Sequence, residues 1–322
     1  MELANQTPFP ARLLRFQRAE DALVDGGLIL KATFQKDEAG RWIPTAEQLP
    51  LVGEPLSTAF GVFHSENFLR KDGVDLCVLG TVRAPRPRRG AEVCVSVGAR
   101  RSTLMVYGER RWLRSGRGGL VASGPEPFEE MPISYHRAYG GKTVYDYEEI
   151  SWPDNPVGRG YYLSEEAAEG QPLANIEKAD APPVRSWSDQ PPVSGWGPYP
   201  CFWGLRAREA VKPDRANPSD LPTISRRLNN NAHPDLVLAA LPESAEIRLT
   251  GLGAAEMVYT VPPLRTQLEV TVGDAVVAQP PIQVDGVFLW TDLGHVTVTA
   301  RAHFNYSYAR GEVRRARLSV EV

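Results

Sequence analysis

The chain has 322 residues, of which 42% are hydrophobic, and a formal net charge of −3. A chain of this length and composition can bury a sizeable core, which excludes disorder as the default state. The near balance of 36 basic and 39 acidic residues excludes a general electrostatic attraction to nucleic acid or anionic membranes.

Neither an export signal nor a membrane span is predicted. Pro8 and Pro10 interrupt the stretch where a signal peptide carries its apolar run, and no run reaches the roughly 18 apolar residues of a spanning helix. Cys77, Cys94 and Cys201 are too few and too scattered for a disulfide framework or a zinc site. We therefore expect a cytoplasmic protein with no metal and no other cofactor.

Short runs in which apolar and polar residues alternate recur along the chain, as strands with one buried face require. The clearest are Leu28–Phe34, Val74–Val82, His295–Phe304 and Arg314–Val322. Helical spacing is rare, with short turns expected near Glu165–Ala168 and Asp235–Ala240. The 28 glycines and 28 prolines punctuate the chain at close spacing. The predicted fold class is mainly β, with antiparallel β-sandwich-like blocks.

The alternation also predicts which side chains face the core. The inward sets include Leu28, Leu30, Ala32 and Phe34 in the first run, and Val296, Val298, Ala300, Ala302 and Phe304 in the third. The polar residues between them, among them Lys31, Thr33, Thr297, Thr299 and Arg301, are expected on the opposite, solvated face.

The middle of the chain has a different composition from its two ends. Fifteen of the 28 prolines lie between Pro125 and Pro222, together with Trp152, Trp187, Trp196 and Trp203. Tails of low complexity lack such aromatic residues, so we interpret this segment as ordered coil. Residues 1–322 are predicted to form one unit, in which this Pro/Gly-rich coil (123–234) joins an N-terminal β block (1–122) to a C-terminal β block (235–322).

Charge is segregated along the sequence. Arg83–Arg117 contains ten arginines and two glutamates, a net charge of +8, whereas Pro125–Gln190 contains thirteen acidic and five basic residues, a net charge of −8. The simpler interpretation is that the acidic segment covers the basic one within the molecule. The alternative is that one or both segments dock a partner of opposite charge.

Familiar catalytic motifs are missing. Gly140–Thr143 reads GGKT, but a phosphate-binding loop needs a further glycine where His136 stands. Cys201 and His136 as a thiolate pair is a weaker interpretation than a small buried cysteine. Two alternatives stay open: a glycan-binding or glycan-active site that uses the acidic and aromatic middle segment, and weak nucleic-acid binding by Arg83–Arg117.

Several segments in order resemble the family known as domain of unknown function 2169. The more general matches are MELANQTPFPA (Met1–Ala11), LILKATF (Leu28–Phe34), DLCVLGTVRAP (Asp75–Pro85), VSVGARRSTLMVYGERRW (Val95–Trp112) and GLG (Gly251–Gly253). The more specific ones are MPISYHRAYGG (Met131–Gly141), NPVGRGYY (Asn155–Tyr162), GQPLANIE (Gly170–Glu177), GWGPYPCFW (Gly195–Trp203) and NNNAHPDL (Asn229–Leu236). Phe60–Lys71 departs from the family pattern, and Lys212–Arg227 is shorter than expected.

The resemblance implies a function without catalysis. Proteins of this family are expected to act as cytoplasmic adaptors or chaperones of the type VI secretion system. They bind an effector through its spike-tip (PAAR-like) region and promote its loading onto the spike protein VgrG. The implied partners are that effector and VgrG, with neither nucleic acid nor membrane.

The motif residues admit two interpretations. In the structural one, glycines and prolines shape turns, Asn155 and Asn175 cap them, and Arg137 and Arg159 are satisfied internally. In the functional one, rigid loops present rings and guanidiniums to a partner, as interface hot spots do. If the motifs form such a surface, the partner-binding residues are predicted to be Tyr135, Arg137, Tyr139, Arg159, Tyr161 and Trp196.

Overall fold

The computed structural model describes residues 1–17, 23–212, 223–242, 244–307 and 314–320. Within them the chain is mainly β, as predicted from the alternation. The first strands are β1 (Glu2–Asn5), β2 (Ala11–Gln17), β3 (Leu23–Lys36), β4 (Trp42–Pro44), β5 (Leu56–Ser57), β6 (Val62–Phe63), β7 (Val74–Leu79), β8 (Thr81–Arg88), β9 (Gly90–Val97), β10 (Arg100–Tyr107), β11 (Trp112–Arg114) and β12 (Leu120–Ala122).

The middle of the chain contains short elements joined by coil. Its strands are β13 (Phe128–Pro132), β14 (Tyr139–Gly140), β15 (Lys142–Tyr145), β16 (Glu148–Ser151), β17 (Arg159–Gly160), β18 (Ile176–Lys178), β19 (Val211–Lys212) and β20 (Thr223–Ile224). Its helices are α1 (Glu165–Ala168) and α2 (Gly204–Ala210), and the 3-10 turns are Tyr135–Arg137, Arg226–Asn229 and Pro234–Leu236.

The last part of the chain returns to longer strands. These are β21 (Val237–Leu238), β22 (Glu246–Thr250), β23 (Met257–Thr260), β24 (Thr266–Val272), β25 (Ala275–Ala278), β26 (Gln283–Trp290), β27 (His295–Ser307) and β28 (Arg314–Val320). The predicted helical turn at Glu165–Ala168 is confirmed. The one at Asp235–Ala240 is wrong beyond Leu236, where the chain turns into β21 and pairs with β7.

The predicted strands are confirmed with small changes. Leu28–Phe34 lies within β3 and His295–Phe304 within β27, while Val74–Val82 is divided at Gly80 into β7 and β8. Arg314–Val322 becomes β28, whose last two predicted residues lie outside the described residues.

The largest sheet has seven strands, in the order β2-β3-β27-β26-β7-β21 with β4 paired to β3. β3 and β27 are antiparallel, with Ala32 opposite Val298, and β26 runs parallel to β7. Strands from residues 1–122 and from 235–322 therefore alternate inside one sheet. The two predicted β blocks are far apart in sequence, but their strands pair with each other in space.

Two further sheets repeat this mixing. A five-stranded sheet has the order β18-β10-β9-β22-β23, and a four-stranded sheet has the order β1-β28-β24-β25. β1 pairs in parallel with β28, so the first and last described strands are neighbours. One apolar cluster draws residues from all parts of the chain, from Phe9 through Tyr135 to Leu318.

The polar face of the seven-stranded sheet is covered, which corrects the prediction of a solvated face. Lys31, Thr33, Thr297, Thr299 and Arg301 are all buried. Coil on both sides of β5 and β6 covers this face: the Nζ atom of Lys31 donates to Oε2 of Glu66 at 2.8 Å, and Arg301 donates to the carbonyl oxygens of Glu66 and Phe68. Alternation identifies two faces but does not tell a wet face from one that a polar coil covers.

Candidate functional site

Three of the segments that carry the family resemblance lie side by side. Tyr139 and Gly140 of β14 pair in parallel with Arg159 and Gly160 of β17. Ala138 bridges to Ile176 of β18, which belongs to the third segment. These segments, residues 131–141, 155–162 and 170–177, together with residues 195–203, are called here the motif scaffold.

Two buried asparagines hold the scaffold together. The Nδ2 atom of Asn155 donates to the carbonyl oxygens of Tyr135 at 2.8 Å and Tyr139 at 3.0 Å. Nδ2 of Asn175 donates to the carbonyl oxygens of Tyr107 and Gly108. Neither asparagine is exposed to solvent. Both therefore satisfy backbone carbonyls that no strand partner reaches, which is the structural role considered from the sequence.

The paired glycines of the scaffold are required by close backbone contact. Gly140 and Gly141 have φ values of +141° and +102°. A Cβ on Gly140 would lie 2.1 Å from the carbonyl oxygen of Asn155. Any side chain at this position would therefore push β14 away from the backbone at Asn155. The two glycines of GGKT therefore serve close packing of residues 140–141 against the backbone of residues 155–158.

The aromatic rings of the scaffold point inward, whereas they were predicted to bind a partner if the motifs form a surface. Tyr135, Tyr139, Tyr161 and Trp196 are all buried, at 9% exposure or less. Tyr135 meets the rings of Tyr199 and Trp203 edge to face, with centroids 5.5 Å apart in both pairs. Burial raises the pKa of the Tyr135 hydroxyl well above its ordinary value. These four rings stabilise the scaffold and do not form an exposed surface.

Burial of two tryptophans in the middle segment disfavours the glycan alternative. Trp196 and Trp203 are 0% and 2% exposed, so neither offers a free face for a sugar. The indole Nε1 of Trp196 donates to Oγ of Ser102 at 3.0 Å instead.

The two predicted arginines reach the surface at one place. Nη1 of Arg137 lies 2.7 Å from Oε1 of Glu109, and Nη1 of Arg159 lies 3.0 Å from Oε2 of the same carboxylate. Nε of Arg159 also donates to the carbonyl oxygen of His136. Both arginine side chains are 27% exposed, and that of Glu109 is 40% exposed. We call Arg137, Arg159 and Glu109 the arginine cluster.

The electrostatics of the arginine cluster favour an ionised Glu109. Burial alone would raise the pKa of its carboxyl, but the hydrogen bond from Arg137 and the charges of Arg159 and Arg137 outweigh burial and lower that pKa. Two guanidiniums then share one carboxylate, which leaves one positive charge in excess. Their free N–H groups suit a further carboxylate or carbonyl oxygen.

Several charges of the basic and acidic segments are matched within the molecule. Arg110 contacts Glu177 at 2.5 Å in a buried pair. Arg114 pairs with Glu165 and Glu169, and Arg83 pairs with Glu130. For these arginines the simpler interpretation of the charge segregation is confirmed.

The cysteine and histidine side chains lie in separate places. The backbone N–H of Cys201 donates to Nδ1 of His64 at 3.3 Å, and His136 is a neighbour of Thr58. Burial raises the pKa of the Cys201 thiol, which disfavours the thiolate. Among the described residues, no three His, Cys, Asp or Glu side chains are grouped so as to hold a metal ion.

Comparison with protein families gives one match over most of the chain. The family described as an uncharacterized protein conserved in bacteria, DUF2169, matches residues 25–301. The chain belongs to the DUF2169 family. No curated protein and no solved structure matches it.

The DUF2169 match includes the whole motif scaffold and the arginine cluster. It also includes positions that the sequence reasoning missed. Glu109, the shared partner of two arginines, was noted only as a minority charge in a basic segment. The hairpin formed by β15 and β16 was not predicted, because neither KTVY (142–145) nor EEIS (148–151) alternates polar with apolar residues.

One further finding concerns membranes. No helix in the described part of this DUF2169 protein is long and apolar enough to cross a bilayer.

Proposed function

We propose that this DUF2169 protein is a non-enzymatic adaptor of the type VI secretion system. In the bacterial cytoplasm it binds the PAAR-like spike-tip region of an effector and promotes loading of that effector onto VgrG. The resemblance to the family implies this role, and the family match over residues 25–301 supports the resemblance. Three of the segments that carry the resemblance lie side by side.

The observation that carries the proposal is the arginine cluster at the edge of the motif scaffold. Its guanidiniums are fixed in place by Glu109, by Asn175 and by the carbonyl oxygen of His136. Little side-chain entropy is lost when such groups meet a partner, because they are already ordered. Arginine is also enriched among the residues that dominate binding energy at interfaces.

The test is reconstitution from purified proteins. The effector encoded beside the gene for this chain is mixed with VgrG, with and without the chain, and complexes are separated by size-exclusion chromatography. We expect the effector to elute with VgrG only when the chain is present. An effector that joins VgrG equally well alone, or a chain that binds neither protein, would contradict the proposal.

A single substitution tests the arginine cluster within that assay. Arg159→Ala removes one guanidinium and leaves Arg137 to pair with Glu109, so the fold is retained. We expect at least about tenfold weaker effector binding, which corresponds to roughly 1.4 kcal/mol.

Arg248→Ala is the matched control, because Arg248 also pairs with two carboxylates but lies on β22. Its effector affinity should equal that of the unmodified chain. Equal affinities of the two variants would exclude the arginine cluster from the interface.

A further inference from the structure

The β15–β16 hairpin carries the most exposed apolar surface next to the motif scaffold. Val144 is 69% exposed, Tyr145 is 61% exposed and Tyr147 is 99% exposed. Large apolar side chains that stand together in solvent mark sites of interaction more often than single ones do. Tyrosine supplies a broad contact area that loses little entropy on binding.

The base of this hairpin is fixed to the scaffold. The N–H of Gly141 donates to the carbonyl oxygen of Asn155, and the N–H of Trp152 donates to that of Gly141, each at 2.8 Å. Ile150 and Trp152 pack against the buried rings of Tyr139 and Tyr161. With four residues per strand, the tip stands roughly 13 Å beyond this base. The hairpin is therefore anchored at one end and open to solvent at the other.

The turn at the tip of the hairpin holds a tyrosine, Tyr147, in a left-handed backbone conformation that is strained for this residue. Asp146 and Tyr147 have φ values of +49° and +67°, and no other non-glycine residue of the described chain has a positive φ. Two such residues between antiparallel strands form a type I′ turn, whose second position favours glycine. Because Tyr147 is 99% exposed, no contact within the chain offsets its unfavourable backbone conformation.

The charges around the tip are acidic. Lys142 pairs with Glu149 at 2.6 Å, which leaves Asp146 and Glu148 without a matching cation on the hairpin. Both are exposed. A partner surface that receives this tip therefore needs an apolar pocket for the rings and basic side chains around it.

We infer that the β15–β16 hairpin contacts the effector in addition to the arginine cluster, and that it inserts Tyr147 and Tyr145 into an apolar pocket rimmed by lysine or arginine on the spike-tip region. This inference rests on the proposed adaptor function and names a second part of the surface that performs it. In this arrangement the contact of the Tyr147 ring with the partner pocket offsets the strain of its backbone.

Two substitutions at Tyr147 separate binding from folding. Tyr147→Gly removes the ring and places the favoured residue in the turn, so its melting temperature should equal or exceed that of the unmodified chain. Tyr147→Phe keeps the ring. In calorimetric titration with the purified spike-tip region of the neighbouring effector, we expect Tyr147→Gly to bind at least tenfold more weakly and Tyr147→Phe to bind within about threefold of the unmodified chain.

Leu293→Ser is the control for loss of an exposed apolar side chain. Leu293 is 64% exposed in the turn between β26 and β27. Its substitution should leave the affinity unchanged.

Charge reversal tests the basic rim. Glu148→Lys should lower the association rate constant several-fold at low salt and flatten its dependence on ionic strength. Asp274→Lys makes the same change in the exposed turn between β24 and β25, and should alter neither quantity.

The outcomes distinguish this inference from the function on which it rests. If the unmodified chain binds the effector and Tyr147→Gly binds equally well, the hairpin inference is wrong and the adaptor function stands. If the unmodified chain does not bind the effector, both are wrong. Weaker binding by Glu148→Lys with unchanged binding by Tyr147→Gly would also contradict insertion of the ring.

Discussion

Asn155 is a single residue on which two turns of the motif scaffold depend. Its amide donates to two backbone carbonyl oxygens that have no exposure to water. Asn155→Ala removes both hydrogen bonds and leaves the carbonyl oxygen of Tyr135 with the N–H of Ala138 as its donor, at a cost of about 1 to 3 kcal/mol for each lost hydrogen bond. We expect the free energy of unfolding, measured by urea denaturation, to fall by about 2 to 4 kcal/mol.

Asn67→Ala provides the comparison. Asn67 is exposed and its side chain accepts one hydrogen bond, from Arg12. A surface change of this kind costs within about 0.5 kcal/mol. Equal losses in the two variants would mean that the scaffold does not depend on the amide of Asn155.

The buried histidines make stability depend on pH. Burial lowers the pKa of both His64 and His233 to about 4. In His233, Nδ1 accepts from the N–H of Asp235 and Nε2 lies 3.2 Å from the carbonyl oxygen of Val193. The folded chain therefore holds a neutral ring whose two nitrogens are both engaged.

The direction of the pH effect follows from linkage. The unfolded chain takes up protons near pH 6.5 and the folded chain only near pH 4, so this contribution to stability is complete above pH 6.5 and is lost as the pH falls. Each histidine should remove about 2 kcal/mol from the free energy of unfolding by pH 5. In His233→Gln about half of this loss should disappear, while between pH 7 and 8 the two curves should run parallel. An unchanged slope below pH 6.5 would contradict the assignment.

At the residue scale, the sequence indicated which motif residues matter but did not indicate whether they are buried or exposed. Tyr135 and Trp196 were predicted to bind a partner only if the motifs form a surface, because rings in Gly- and Pro-rich segments suit both interfaces and cores. Their burial depends on close approach by distant residues: a Cβ on Gly195 would lie 2.6 Å from the Tyr135 ring. The composition of the segment around Tyr135 does not predict that Gly195 packs against its ring. Arg137 and Arg159 were both named as partner-binding candidates, but neither their proximity nor the Glu109 between them was predicted.

At the scale of elements, Asp75 ties strand β7 to the NNNAHPDL segment. Its carboxylate accepts from Nζ of Lys71 at 2.6 Å, from Nδ2 of Asn230 at 2.9 Å and from the N–H of Asn231 at 2.8 Å. Asp75 is fully buried. Loss of one partner from such a buried ionic network costs about 3 to 5 kcal/mol.

Asp75→Asn should therefore destabilise the chain and loosen one loop. We expect the free energy of unfolding to fall by about 3 to 5 kcal/mol and the amide hydrogens of residues 229–233 to exchange faster. Asp72→Asn, at an exposed position three residues earlier, should change neither measurement. Unchanged exchange at residues 229–233 in Asp75→Asn would show that this loop is held by other contacts.

Elements were predictable where they depend on local pattern. β3 and β27 were predicted as strands because alternation is a local property. Their direct pairing, with Thr33 opposite Thr297, was not predictable, because 264 positions separate the two residues. Nor did the pattern reveal the polar coil over this face, since Glu66 and Gln48 lie in a segment without periodicity.

For the whole molecule, the shared sheets predict that the chain folds as one unit. Residues 1–234 alone would lack β26 and β27, which lie between β3 and β7 in the largest sheet. We expect this fragment to show no cooperative thermal transition by circular dichroism, and the intact chain to show a single one. A cooperative transition in the isolated fragment would show that the middle segment can complete the sheet by itself.

The insertion of β26 and β27 between β3 and β7 has a consequence for synthesis. The ribosome releases β3 and β7 long before β26 and β27 exist, and at roughly 5 to 20 residues per second the wait is on the order of ten seconds or more. During that time the nascent strands expose unpaired edges, which favour association with other chains. Long sequence separation between paired strands also slows folding once the last strand has emerged. The yield of folded protein in the cell should therefore depend on general molecular chaperones.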